Sequence, residues 1–133
     1  MPLSSASILS GATITPSGGS ALDFESRGIS GEKNEIFVPA DTDLRLQRSM
    51  IFSVKRERVS AGAPNGYTQP RNIVKVKFPQ ELENGNVTVR GFDISYHCDV
   101  ESTAAEKLED RKVAAQILTD SDFTSFWDNL SLS

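Results

Sequence analysis

Arg71-Asn72-Ile73-Val74-Lys75-Val76-Lys77-Phe78-Pro79 alternates apolar and cationic side chains. As an extended strand it sends Val74, Val76 and Phe78 to one side and Lys75 and Lys77 to the other, with Arg71 and Ile73 on the lysine side. The first set needs a core to cover it. The second raises the question of what a cationic face touches.

The neighbouring segments extend both faces. From Leu44 to Val59 the residues Leu44, Leu46, Met50, Phe52 and Val54 recur at even spacing, which predicts a strand with Ser49, Ile51, Ser53 and Lys55 on the polar side. A polar loop, Ser60 to Pro70, carries a Pro64-Asn65-Gly66 turn. Downstream, Glu83-Asn84-Gly85-Asn86 is the strongest hairpin signal in the chain. It leads into a strand from Val87 to about Val100, with Phe92, Ile94 and Tyr96 on one face and Asp93, Ser95 and His97 on the other.

Upstream, Ile8, Ser10, Ala12 and Ile14 alternate before a Pro16-Ser17-Gly18-Gly19 turn, predicting an N-terminal hairpin whose return strand is Ala21 to Arg27. After a Gly28 to Asn34 loop, Glu35-Ile36-Phe37-Val38 forms a further strand that Pro39 ends.

After Val100 the period changes from two to about 3.6, and Thr103 with Glu106 forms a capping box. The helix that follows carries Leu108, Ala115 and Leu118 on one stripe and exposes Glu109, Asp110 and Lys112. Asp120 or Ser121 then caps a second helix. Its Phe123, Phe126, Trp127 and Leu130 fall at i, i+3, i+4 and i+7, an aromatic stripe over three turns. Two short helices cannot cover all the apolar area of such a sheet, so the stripe is expected to pack as core and against a symmetric partner.

Composition bounds the function. A chain of 133 residues with 38% hydrophobic content is one ordinary domain. The first ten residues lack a basic region followed by an apolar run, and no segment reaches the roughly 18 apolar residues of a membrane span, so a soluble, unexported protein is expected. The single cysteine, Cys98, suits a reducing compartment. Net charge is −4, yet Leu44 to Phe78 holds eight basic residues and one acid, Glu57, leaving the rest of the chain strongly acidic. Lys55, Arg71, Lys75 and Lys77 share one predicted face, a pattern that suits phosphate oxygens.

His97-Cys98-Asp99 suggests nucleophile-and-base chemistry at first sight. Adjacent strand residues point to opposite sides, however, and no second histidine completes a catalytic or zinc cluster. No catalytic residue, metal or cofactor is expected, and neither a phosphate-binding glycine loop nor a zinc spacing occurs.

The order of elements, an N-terminal hairpin, further antiparallel strands and two C-terminal helices, resembles the coat proteins of the single-stranded RNA bacteriophages. Ser53 to Val59 followed by Ile73 to Pro79 is similar to that family's paired RNA-facing strands, including the Lys-Val-x-x-Pro spacing from Lys75 to Pro79. The resemblance implies an α+β subunit of one domain, with the hairpin in residues 1–28, the antiparallel sheet in 35–100 and two helices in 102–132. In that family two subunits join their sheets edge to edge and cross helices over each other.

For this chain the resemblance implies an intertwined homodimer with Leu108, Leu118, Phe123, Phe126, Trp127 and Leu130 at its interface. It implies RNA contacts from Ser53, Lys55, Arg71, Ile73, Lys75, Lys77, Asp93 and Ser95. The implied role is a virion protein, assembled in the cytoplasm of a bacterial host into an icosahedral shell around single-stranded RNA, with binding of an RNA hairpin as a translational repressor a further role. The sequence also departs from the family. Ile51 and Ile73 stand where better-known members have hydroxyls, Gly91 replaces a base-stacking tyrosine, and the Glu83–Asn86 turn replaces a long loop. A small dimeric nucleic-acid-binding regulator is the alternative the basic face allows.

Overall fold

The computed structural model describes residues 3–133 and places them in two compact units, one from Gly19 to Val100 and one built from the N-terminal segment to Gly18 together with Glu101–Ser133. Met1 and Pro2, which begin the expected 1–28 segment, lie outside the described residues.

The first unit is a five-stranded antiparallel sheet in simple sequence order: β1 (Glu25–Ser30), β2 (Lys33–Phe37), β3 (Ser49–Lys55), β4 (Arg71–Glu81) and β5 (Val87–His97). With the two helices of the second unit this is the α+β class expected from the sequence. Alternation fixes the register, because a slip of one residue would turn every apolar side chain to the polar face. Ile36, Met50, Val76 and Phe92 therefore stand in one row across four strands, and Asn34, Phe52, Val74 and Ile94 in the next. Val76 is buried at the centre of this apolar face.

The turns follow local chemistry. Gly31 and Glu32 join β1 to β2, with Gly31 at φ 61° supplying the positive-φ first position of a type II′ turn. Between β4 and β5 the Gly85 N–H donates to the Leu82 carbonyl (3.0 Å) and the Leu82 N–H to the Asn86 carbonyl (2.8 Å). Gly85 sits at φ 84°, the left-handed residue that such a hairpin needs. The loop after β3 is itself a small hairpin, with Val59 bridged to Tyr67 and the Asn65 amide donating to Asp99 at 2.7 Å.

Three expected boundaries move. The hairpin expected from residues 8–14 and 21–27 does not form, because residues 8–14 are no strand; the first hairpin is β1 with β2, turning inside the segment expected as the Gly28 to Asn34 loop. Strand β3 begins at Ser49 rather than Leu44, because Asp41 captures Arg48 first. The Asp41 carboxylate accepts from Arg48 Nε at 2.9 Å, Arg48 Nη2 at 3.1 Å and the Arg48 backbone N–H at 3.0 Å, which holds residues 41–48 in a turn. The second helix is also shorter than expected.

In the second unit, α1 (Ala104–Thr119) opens with the expected capping box between Thr103 and Glu106. A 3₁₀ turn, Ser121–Phe123, is capped by the Asp120 side chain and leads into α2 (Thr124–Asn129). Leu130 lies just past α2 in the left-handed conformation at φ 55°, and the following Ser131 N–H bonds the Ser125 carbonyl at 3.3 Å. Leu130 therefore belongs to the helix terminus and not to its stripe.

The N-terminal segment explains why residues 8–14 alternate without being a strand. Helix side chains take the place of a partner strand. Ser7 N–H donates to Asp122 (3.1 Å), Leu9 N–H to Gln116 Oε1 (2.7 Å) and Gly11 N–H to Glu109 (3.0 Å), and Gln116 Nε2 returns a bond to the Leu9 carbonyl at 2.9 Å. Gln116 is thus the buried residue of α1, and Glu109, expected on the exposed side, is engaged.

Candidate nucleic-acid interface

The face of the sheet opposite Val74 and Val76 is assembled from four strands. Lys33, Ser53, Ile73 and Ser95 form one row; Glu35, Ile51, Lys75 and Asp93 the next; Phe37, Ser49, Lys77 and Gly91 a third. Lys55, Arg71 and His97 extend the face at its other end. All eight residues expected to meet RNA, Ser53, Lys55, Arg71, Ile73, Lys75, Lys77, Asp93 and Ser95, therefore lie on this one surface. Ser53 and Ile73 are half-buried, and the other six are exposed.

Lys33, Lys55, Arg71, Lys75 and Lys77 take part in no ion pair among the described residues. Lys55 stands directly opposite Arg71. Like charges at opposed strand positions are mutually unfavourable, so the surface holds cations ready for an external anion. Two acids, Asp93 directly opposite Lys75 and Glu35 in the same row, are set among them.

Sequence reasoning missed two members of this face, Lys33 and Arg27. Lys33 was legible from its period-two spacing to Glu35 and Phe37. Arg27 was not, because a β-bulge places it. Ser26 pairs with Ile36 and Ile29 with Asn34, so Arg27 and Gly28 together oppose the single residue Glu35. Gly28 takes φ 101°, and its N–H donates to Ser26 Oγ at 3.0 Å. The bulge lays the Arg27 guanidinium over Phe37, 4.1 Å from the ring centroid. There it also donates to Gln47 Oε1 and stands 3.5 Å from Glu35.

His97 lies at the exposed end of this face, where Nδ1 is 2.8 Å from Gln69 Oε1. Cys98 is half-buried. Among the described residues no group of three or more His, Cys, Asp or Glu side chains is placed to hold a metal ion, and no helix is long and apolar enough to cross a membrane.

A second surface is apolar. Of the six residues expected at a subunit interface, Leu108, Leu118, Trp127 and Leu130 are exposed in the single chain, Leu130 at 88%, while Phe123 and Phe126 are half-buried. Trp127 packs edge-on against Phe126 at 4.9 Å between ring centroids, and its Nε1–H caps the Ile117 carbonyl at 2.8 Å. On the apolar sheet face Phe52, Phe92 and Ile94 are also exposed.

Neither a protein-family model nor a curated protein sequence matches the chain. Solved structures do. The chain is similar to the protein of the virus-like particle of bacteriophage GQ-907, with a TM-score of 0.86 and 28% identity over 98% of this chain and 99% of that one. It also shares its fold with the virus-like particle of bacteriophage AVE019, with a TM-score of 0.64 and 7% identity over 83% of this chain and 86% of that one. The resemblance to bacteriophage coat proteins read from the sequence is borne out, and the likeness to the GQ-907 particle supports a structural protein of capsid type.

Proposed function

We propose that the chain is the single-domain coat subunit of an RNA bacteriophage, which pairs with a second copy, closes into an icosahedral shell and packages single-stranded RNA against its basic sheet face. The observation that carries the RNA assignment is the set of five cations without ion pairs on one surface, two of them directly opposed. Phosphates relieve that repulsion without any requirement on base sequence.

Pairing draws on separate observations. Val38 and Val76 are the buried apolar side chains among the described residues, a very small core for a chain of this length. Strand β5 ends the sheet with eleven residues, all but one exposed, and a long open edge is a template for a further strand. A symmetric partner adding its own β5 continues the sheet, and its helices cover Phe52, Phe92 and the Leu108, Leu118, Trp127 and Leu130 surface. The likeness to a virus-like particle supports self-assembly into a shell. Such a subunit acts in the virion, is assembled in the host cytoplasm, and does no chemistry on its RNA. Support for a repressor role is weaker, since Gly91 carries no side chain with which to hold a hairpin base.

Purified from bacteria, the chain should elute as large particles with an absorbance ratio showing nucleic acid, and the RNA should resist nuclease until the particles are opened. A species that remains dimeric at every concentration and free of nucleic acid would instead favour the small regulatory protein.

A further inference from the structure

We propose that Arg27 is a base-stacking platform on the sheet face, taking an unpaired RNA base on the outer side of its guanidinium. The proposal rests on the reading of that face as the RNA surface and adds to it a contact with a base.

Four observations lead there. The guanidinium is oriented before any ligand arrives, because Phe37 lies beneath it, Gln47 accepts from Nη2 and Glu35 stands beside Nε. Its side chain is nevertheless 45% exposed. Its charge is already matched by Glu35, unlike that of Lys33, Lys55, Arg71, Lys75 and Lys77, so its remaining capacity is that of a flat, polarisable surface and not of a phosphate neutraliser. Finally, a bulge with Gly28 at φ 101° aims it, and bulges re-aim side chains where a regular strand would not.

The platform also lies within reach of the phosphate contacts. Phe37 stands in the same row as Lys77, two strands away, or about 10 Å across the sheet. A nucleotide whose phosphate meets Lys77 can direct its base toward Arg27. Unpaired bases stack on guanidinium planes as they do on aromatic rings. Phe37 is covered by Arg27, and His97 lies at the far end of the face beside Arg71, so at this end the guanidinium is the plane presented to RNA.

The test compares two probes on the full chain kept unassembled: a short unstructured oligoadenylate and the same ribose-phosphate backbone with abasic sites. Arg27→Lys keeps the charge and removes the plane. It should weaken the oligoadenylate by about fivefold or more, the equivalent of one stacked base, and leave the abasic probe unchanged. Lys75→Ala with Lys77→Ala should weaken both probes alike. If the lysine pair acts as stated but Arg27→Lys changes neither probe, the platform is wrong and the RNA surface stands. If the lysine pair also has no effect, the surface itself is wrong, and the platform falls with it. Should Arg27→Lys not fold, the wild type decides, because equal affinity for the two probes overturns the proposal.

Discussion

At Gly91 a β-carbon would stand 2.0 Å from the carbonyl oxygen of Val76 and 3.1 Å from its carbon. Both are backbone atoms of the β4–β5 ladder, so no flexible side chain can yield. Gly91→Ala is therefore expected to force the two strands apart and to lower stability by about 1–3 kcal/mol, as overpacking does. Thermal unfolding measures it, and a wild-type midpoint in Gly91→Ala would show that the ladder relaxes freely. The same contact means that the backbone at this position leaves no room for a larger side chain. Asp41 makes a second prediction at this scale. Its three hydrogen bonds from Arg48, the side-chain ones first and the backbone one next, hold its pKa below the usual 3.8. A folded-state pKa below the unfolded one adds stability that is complete above the unfolded value and is lost as pH falls through the folded one. Stability should accordingly drop below about pH 4 more steeply in the wild type than in Asp41→Asn. Parallel denaturant midpoints for the two proteins from pH 5 to pH 2.5 would remove the clamp from the account.

Among the elements, β4 and β5 were the most legible from sequence. Their alternation is long, their turn is built on Asn84-Gly85, and no competing contact interferes. The cationic face followed from that alternation, since period two assigns Lys75 and Lys77 to one side without knowledge of neighbours. Where prediction failed, a side chain had intervened at a distance. Asp41 holds Arg48 and delays β3, and Asp122, Gln116 and Glu109 bind the backbone of residues 7–11, which periodicity reads as a strand. Arg27 was invisible because an unpaired bulge residue has no period.

The basic strands make the clearest test at this scale. Lys75→Ala with Lys77→Ala should lower the slope of log affinity for single-stranded RNA against log salt by about 1.4, whereas Lys107→Ala with Lys112→Ala on α1 should leave it unchanged. Equal effects would mean that binding follows total charge rather than this face. At the end of α2, Leu130 opposes two terms. A left-handed leucine costs roughly 1 kcal/mol relative to glycine, and full burial of a leucine contributes about 1.5–3 kcal/mol. Leu130 is 88% exposed in the single chain, so Leu130→Gly should stabilise an isolated subunit and destabilise a dimer that buries it. Concentration-dependent unfolding separates the two outcomes, and a more stable Leu130→Gly dimer would exclude Leu130 from the interface.

For the whole molecule, the two exposed apolar surfaces and the small buried core are what the proposed pairing accounts for, and the basic face is what the proposed RNA packaging accounts for. Sequence carried the order of elements and the polarity of the sheet, and the resemblance put Leu108 and Leu118 at a subunit interface, but helical period alone puts them on an apolar stripe without saying that both stay exposed in the chain. That exposure is a property of packing, which depends on everything the helix meets. The central claim joins the shell, the pairing and the RNA face, and one measurement addresses all three: cryo-electron microscopy of the particles purified from cells. The account predicts closed shells of paired subunits with continuous sheets lining the interior, and RNA density against Lys33, Lys55, Arg71, Lys75 and Lys77. Shells in which this face points outward, or in which the density avoids these five cations, would contradict it.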